Sequence, residues 1–174
     1  MGLTALLTLA AVLSPVPLAA QSQPTAEEFG DRVLEYARTD LQSWITDPVL
    51  IYAIKEQNVL HANLSTLKIK KMDKYWRDAG SQGLPVLEML DRQASIITRD
   101  RRELAKGVIT EIIVMDAHGL NVAISDPTSD TFQGDEAKYL ETFVKGPDAV
   151  HVSELEFDES TQQVQTQVSL TVTD

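Results

Sequence analysis

The sequence predicts an α+β fold in which a helical N-terminal part is followed by an antiparallel sheet. Between Thr25 and Lys106, apolar residues recur every three or four positions, which is the period of amphipathic helices. After Gly107 the period becomes two and β-branched residues dominate, which indicates strands. The 174 residues are enough for one domain. We therefore divide the chain into a leader (1–20), a helical region (21–106) and a sheet region with one short crossover helix (107–174).

Residues 1–20, "MGLTALLTLAAVLSPVPLAA", have the layout of a secretory signal peptide. An apolar stretch from Leu3 to Leu13 is followed by a helix-breaking "SPVP" and then by small residues up to Ala20. The uninterrupted apolar part is shorter than the roughly 20 residues that a spanning helix needs. We expect cleavage after Ala20 and a periplasmic or secreted protein without a membrane segment once the leader is removed.

The charge and the absence of cysteine argue against several classes of function. A chain without cysteine has no disulfides, thiolate zinc sites or cysteine nucleophiles. The formal net charge is −11, and most of it falls in the C-terminal half. Such a surface repels phosphate backbones and anionic lipids, so we expect neither nucleic acid nor a membrane surface as partner.

Start and stop signals divide the helical region into four predicted helices. Thr25 and Glu28 form a capping box, after which the apolar period begins. Asp47 and Pro48 provide a cap and a first helical residue, so the long helix kinks or breaks there. A third helix is predicted over 65–79, ending at a glycine, and a fourth runs from position 85 through "RDRREL".

The sheet region contains four predicted strands and a short helix. Residues 108–115 and 120–125 form a hairpin across the turn "DAHG". A helix is predicted from Asp135 to about Val144. Two further strands, "AVHVSELEF" and "QVQTQVSLTVT", are joined by the acidic turn "DEST". The order of helices and strands predicts an α+β domain with an antiparallel sheet.

Three strings resemble a known family of sensor domains. They are "WITDPVLIYAIKEQN", "ITEIIVMDAHGLNVAISDPTSDTFQGDEAKY" and "VHVSELEFDESTQQVQTQVSLTV", and they resemble the extracytoplasmic Cache family, more narrowly its PhoQ–DcuS–CitA-type (PDC) domains from bacterial histidine kinases and chemoreceptors. The resemblance implies a PAS-like antiparallel sheet backed by a long, kinked N-terminal helix, with a small-molecule site enclosed on the other face. It also implies a membrane receptor as signalling partner and a parallel homodimer through the N-terminal helix.

Two departures from that family pattern affect the expectations. Relatives often carry two large aromatic residues where this chain has Thr131 and Phe132, which puts the ligand in doubt. Relatives also continue into a last strand beyond "SLTVTD", and without it the strand 163–173 has an unpaired edge. A fragment, pairing by another chain, and a sheet one strand short all explain this edge, and we favour the fragment.

The acidic segment "TSDTFQGDEAKY" (128–139) has three interpretations. Asp135 can cap the following helix while the other acids are solvated. Asp126, Thr128 and Asp130 have the alternating spacing of a calcium loop, but an EF-hand needs glycine and glutamate where this chain has threonine and alanine, so we predict no metal site. A loosely acidic surface that responds to divalent cations stays open as an alternative. The third interpretation is the edge of a ligand pocket.

Strand alternation supports the pocket interpretation. One face of the sheet is apolar, with Val164, Val168, Leu170 and Val172, whereas the other carries Gln165, Gln167 and Ser169. In the Cache family the crossover covers the polar face and encloses a cavity. The eight candidate ligand-binding residues are Ser125, Asp130, Phe132, Gln133, Asp135, Tyr139, His151 and Gln167. Since no arginine lies in these segments, we expect a small polar or amine-bearing ligand.

We predict no enzymatic activity and no cofactor. The sequence has no G-x-S-x-G elbow, no glycine-rich phosphate loop and no histidine pair with metal-ligand spacing. Two classes of function remain. The first is an extracytoplasmic small-molecule-binding sensor that acts with a separate signalling partner. The alternative is a non-catalytic interaction or dimerisation module.

Overall fold

The protein has an α+β fold, and from Ala26 onward its helices and strands follow the predicted order, but a strand that was not predicted, Thr4–Val12, precedes them. The computed structural model describes three parts of the chain, residues 4–12, 26–158 and 163–173. Within them, helices fill most of the chain from Ala26 to Leu104, and strands dominate from Ile109 onward. The predicted class, helices packed on an antiparallel sheet, is confirmed. The capping box at Thr25 and Glu28 lies outside the described side chains.

The N-terminal helices are interrupted by a π-helical turn and by a break before Pro48. α1 (Ala26–Tyr36) continues through the π-helical residues Ala37–Leu41 into α2 (Gln42–Ile45). α3 (Pro48–His61) then begins as predicted, since Asp47 accepts a hydrogen bond from the backbone N–H of Val49 at 2.9 Å. Proline at the first position of α3 is compatible with the helix because that N–H needs no helical partner.

Two helices replace the single one predicted from position 85 onward. α4 (Thr66–Ala79) has the expected bounds, from the Ser65 cap to Gly80 at φ +67°. α5 (Leu84–Leu90) and α6 (Gln93–Leu104) are separated, however, where a continuous helix was expected. The break occurs because Arg92 has an extended backbone (ψ 143°). No proline or glycine marks this break, so the prediction of one helix was wrong.

Within the described residues the sheet has six strands, and every pairing is antiparallel. The strands are β1 (Thr4–Val12), β2 (Ile109–Met115), β3 (Asn121–Ile124), β4 (Val150–Val152), β5 (Glu156–Asp158) and β6 (Gln163–Thr173). The strand order is β3-β2-β1-β6-β4. β5 also pairs with β6, but along residues 163–165, whereas β4 pairs along residues 168–170. The predicted hairpin of β2 and β3 is confirmed. The predicted strand 149–157 is divided into two short strands, whereas 163–173 has the predicted bounds.

β1 lies in the middle of the sheet, between β2 and β6. Its Cα partners on β6 run from Thr4↔Thr173 to Val12↔Gln165, and it pairs with β2 on its other side. While residues 4–12 are present, the edge of β6 that was expected to be unpaired is therefore paired with β1. An uncharged apolar run of this length suits a leader and a buried strand equally well, so the sequence alone did not reveal the pairing. Cleavage after Ala20 stays a prediction.

Two apolar clusters lie on opposite faces of the sheet. On one face, β6 residues Val168 and Leu170 pack with Trp44, Leu50 and Ile54 from the N-terminal helices. The other face has a smaller cluster, which consists of Trp76, Val86, Met89, Ile113, Met115 and Ile124. The expected apolar face of β6 is confirmed, and α4 and α5 cover part of the opposite face.

The crossover between β3 and β4 covers the polar side of β6. Ser169 is fully buried there, and the Thr171 hydroxyl donates to the Gly146 carbonyl at 2.9 Å. The crossover helix α7 (Ala137–Leu140) is shorter than the predicted 135–144. It ends early because the backbone N–H groups of Thr142 and Val144 both donate to Tyr139 O, which breaks the helical pattern.

No helix among the described residues combines the length and apolar character needed to cross a bilayer.

Candidate functional site

A cavity of about 200 Å³ lies between α4, α5 and the start of β3. It is smaller than the pockets of about 300–1,000 Å³ that hold drug-sized ligands, so it suits a small molecule. Its wall mixes aromatic and thioether groups with a few polar side chains. The lining residues are Gln57, His61, Met72, Tyr75, Trp76, Pro85, Glu88, Met89, Arg92, Leu120, Asn121 and Thr131.

α4 holds the crossover in place beside this cavity through two buried side chains. Asp73 Oδ1 accepts hydrogen bonds from the backbone N–H groups of Thr131 and Phe132, each at 3.1 Å. Trp76 Nε1 donates to Thr128 O at 2.9 Å. Asp73 Oδ2 also pairs with Arg77 at 2.8 Å. The loop is therefore tied to the same helix face that forms the cavity wall.

Asn121 provides an unpaired acceptor in the cavity wall. Its Nδ2 donates to Asp130 O at 3.1 Å and to Thr128 Oγ1 at 3.0 Å. A backbone carbonyl only accepts, so the amide nitrogen must face Asp130 and the orientation of the amide is fixed. Asn121 is 1% exposed, and its Oδ1 has no hydrogen-bond partner among the described residues. A buried acceptor without a partner is costly.

Asp116 joins α3 to the β2–β3 turn at one side of the cavity. Its Oδ2 accepts from Gln57 Nε2 at 3.0 Å and lies 2.6 Å from His61 Nδ1, while Oδ1 accepts from the backbone N–H groups of His118 and Leu120. Burial alone would raise the pKa of Asp116. The four hydrogen bonds outweigh burial, and the pKa of this carboxyl lies below its ordinary value. An ionised Asp116 accepts only, so His61 Nδ1 carries a proton.

Arg92 brings a cation to the cavity. Its NH1 donates to Gln57 Oε1 at 3.1 Å, which continues the hydrogen-bonded chain from Asp116. The remaining N–H groups of the guanidinium leave donors for a ligand. Glu88 lies on the preceding helix and also lines the cavity, so the wall contains both a carboxylate and a guanidinium.

The predicted residues of the crossover bond mainly to one another. Gln133 is 2% exposed, and its Nε2 donates to Asp130 Oδ1 at 2.6 Å. The Lys138 ammonium donates to Gln133 Oε1 at 2.7 Å and pairs with Glu136 at 2.9 Å. The segment therefore has an internal network in which both ends of the Gln133 amide are occupied. Asp135, the expected cap, is exposed.

The other predicted residues lie in three separate places. Tyr139 donates to Ala117 O at 2.8 Å, and Ser125 Oγ accepts from the N–H of Ile112 at 2.9 Å. His151 and Gln167 lie on β4 and β6, under the far part of the crossover. None of the eight candidates is among the residues that line the cavity between α4 and α5. Their role in ligand binding stays a prediction.

Glu111 lies on β2 close to the acids of the crossover. Burial raises the pKa of its carboxyl, and Asp126, Glu136 and Asp130 raise it further, while Lys138 opposes them. Asp126 is itself paired with Arg102 and accepts from Ser125. Among the described residues, no group of three or more histidine, aspartate or glutamate side chains is arranged to hold a metal ion.

Some of the residues that line the cavity or lie beside it on α4 have signals in the sequence. Ile69, Asp73 and Trp76 occupy one buried face of α4 at helical spacing, and an acid on such a face indicates a specific partner. Asn121 was recognised as a polar strand residue but was not selected. Arg92 had no signal, because it was placed inside a continuous helix. The cavity depends on the helix break at this residue.

The fold and the cavity define an α+β protein with a small, partly polar chamber between helices and sheet. No family model, curated protein or solved structure matches this chain. The functional argument therefore rests on the residues of the chamber.

Proposed function

We propose that the protein is an exported, non-catalytic domain that binds a small polar, amine-bearing ligand in the cavity between α4 and α5. The observation that carries this proposal is Asn121 Oδ1, a buried acceptor in the cavity wall without a partner among the described residues. An N–H donor on a ligand that reaches this atom would restore the missing hydrogen bond.

The charges around the cavity specify the ligand further. Arg92 provides donors and a positive charge, so it favours a ligand that also has an anionic or acceptor group. Glu88 provides an opposite charge in the same cavity wall. Trp76 and Tyr75 add aromatic surface, which suits a ligand with an apolar body or a cationic group.

A sensory role and a PAS-like, Cache-type fold belong to the same proposal. An antiparallel sheet with helices on both faces and a crossover over its polar side supports such a fold. In that function the domain reports ligand occupancy to a separate membrane receptor. The hydrogen-bonded chain Arg92–Gln57–Asp116 connects the cavity to α3, so ligand contact with Arg92 would act on the N-terminal helices.

A thermal-shift screen of amines, amino acids, organic acids and divalent ions tests binding. A ligand at one hundred times its Kd stabilises the folded chain by about 2.7 kcal/mol. We expect Met72→Trp, which fills the cavity from α4, to remove the shift of any active compound. Lys71→Trp places the same side chain at the exposed neighbouring position and should leave the shift intact. A shift that survives Met72→Trp would place the ligand elsewhere, for example at the eight crossover and strand candidates.

A second candidate function is a homodimer along α3. Tyr52, Val59 and Leu60 are exposed on this helix, and a groove of about 500 Å³ runs between α3 and the start of α6. Exposed apolar groups on one element favour a protein partner. No shift with any compound, together with a sedimentation coefficient that rises with protein concentration, would support this interaction module in place of the receptor.

A further inference from the structure

β1 separates two strands that would otherwise be neighbours. β2 and β6 are both antiparallel to β1, so they run parallel to each other. With β1 between them, they lie about 9–10 Å apart, which is two strand spacings. β2 and β6 each direct a row of backbone N–H and C=O groups toward this position. β1 pairs with both rows.

The side chains around this position are already arranged as the interior of a sheet. Val168, Leu170 and Val172 on β6 and Ile112 and Val114 on β2 are buried in the cluster that packs against the N-terminal helices. An occupant of the position therefore continues a buried apolar face and pairs its backbone on both edges. A charged segment would place its charge in this interior, which is strongly unfavourable.

The segment that fills the position is also the segment predicted to be removed on export. β1 covers residues 4–12, and the predicted cleavage follows Ala20. A cleaved chain cannot keep β1 covalently attached. Removal of β1 would leave β2 and β6 with unpaired backbone groups in the middle of the sheet, where such groups are rarely left without a partner.

We propose that the position between β2 and β6 is a strand-acceptor site. When β1 is absent, it binds an extended, uncharged segment of a partner polypeptide, antiparallel to both strands. The segment is about nine residues long and apolar at the positions opposite Val168 and Leu170. Recognition comes from main-chain hydrogen bonds on two edges, and the apolar face supplies selectivity.

Direct pairing of β2 with β6 is the competing outcome. It would move one half of the sheet by about 5 Å toward the other. The helices that pack on both halves would then have to repack, because α6 contacts β2 and β3 while α7 contacts β6. Closure and strand acceptance differ in a measurable way, since a closed sheet has no place for an added peptide.

A cysteine pair first tests the place of β1 in the intact chain. The sequence has no cysteine, so Leu9→Cys with Val168→Cys introduces the only two thiols. These residues are Cα partners, and we expect a disulfide under mild oxidation. Leu9→Cys with Ser169→Cys is the control, because neighbouring residues point to opposite faces. Equal cross-linking in both variants, or none in either, would overturn the proposal.

Peptide binding to the cut chain then tests acceptance. A protease recognition sequence is placed within residues 13–25 of the full chain, the chain is cut, the N-terminal piece that carries β1 is removed under denaturing conditions, and the remaining chain is refolded with a fluorescent peptide of residues 4–12. We expect saturable binding in fluorescence anisotropy. A Leu7→Pro version of the peptide should bind at least about 10-fold more weakly, because proline removes a ladder hydrogen bond. Equal binding of both peptides, or none, would contradict the proposal.

Aggregation of the cut chain is also informative. Open strand edges promote association between chains. If the 4–12 peptide suppresses this aggregation and its Leu7→Pro version does not, the acceptor site is supported. If neither peptide changes the aggregation, the proposal fails. The ligand screen uses the uncut chain and a cavity beside the edge strand β3, away from the acceptor site, so either proposal can fail without the other.

Discussion

Asp116 is the most highly connected carboxylate in the part of the chain that the structure describes, and its contacts predict a stability effect. It is fully buried and accepts four hydrogen bonds. Asp116→Asn places an NH₂ group against donors and removes the charge that they stabilise. We expect the free energy of unfolding to fall by about 2–4 kcal/mol in urea titrations at pH 7. Asp78→Asn removes one charge from an exposed pair with Lys74 and should change it by less than about 1 kcal/mol.

The difference in free energy of unfolding between the native protein and Asp116→Asn should depend on pH, because the pKa of Asp116 is lowered. A carboxyl with a depressed folded pKa stabilises the protein above its unfolded pKa, about 3.9, and this stabilisation is lost as pH falls through the folded pKa. The gap between the native protein and Asp116→Asn should therefore narrow on acidification below about pH 4. A gap that stays constant down to pH 2 would mean that the charge of Asp116 contributes nothing.

For Glu111 we predict the opposite dependence of stability on pH. Burial raises its pKa, so the stability associated with its protonated form is present below its unfolded pKa, about 4.3, and is lost as pH rises through the folded pKa. Glu111→Gln resembles the protonated form and should raise the melting temperature at pH 7, with no gain at pH 3. Glu103→Gln is the control, because it removes the same charge from an exposed position on α6. A lower melting temperature for Glu111→Gln would show that the attraction to Lys138 outweighs burial.

At the scale of elements, the β2–β3 turn and the crossover meet backbone to backbone. Gly119 has φ +77°, and a Cβ there would lie 2.5 Å from Gly134 Cα. The N–H of Gln133 donates to Gly119 O at 2.7 Å across the same contact. Two glycines therefore permit the approach that holds the crossover at the start of β3, next to Asn121.

Gly119→Ala should destabilise the fold through both strain and overlap. A left-handed backbone costs about 1–2 kcal/mol for alanine, and the overlap with Gly134 adds about 1–3 kcal/mol. Gly107→Ala is the matched control, because Gly107 has φ +87° with no atom within 4 Å of the added Cβ. Urea titrations give the loss of stability in each variant, and the difference between the two losses is the cost of the overlap with Gly134. Equal losses would show that the crossover moves away without cost.

The sequence predicted elements well where a local rule decides the structure. Asp47 and Pro48 start α3, Ser65 caps α4, and the alternation in "QVQTQVSLTVT" gives the bounds of β6. The prediction failed where contacts between residues far apart in the sequence determine the structure. Arg92 breaks a helix that has no local stop signal, and its guanidinium donates to Gln57, 35 positions away.

At the scale of the whole molecule, the sequence predicted the α+β class but not the position of every strand. Hydrophobic periodicity describes which residues are buried, and it does not say with which strand an apolar run pairs. The same limit applies to the site. The crossover was identified as important, yet Asp73 and Trp76, which hold it, lie more than 50 positions earlier. Such contacts are properties of the folded chain.

The two tryptophans of the chain give the protein a spectroscopic signal at the cavity. Trp44 belongs to the larger core, under the guanidinium of Arg101, whereas Trp76 lines the cavity and donates to Thr128 O. Indole emission depends on the polarity around the ring, so an occupant of the chamber would change the emission of one tryptophan and leave the other nearly constant. With Trp44→Phe as background, ordinary fluorescence would follow occupancy without a label.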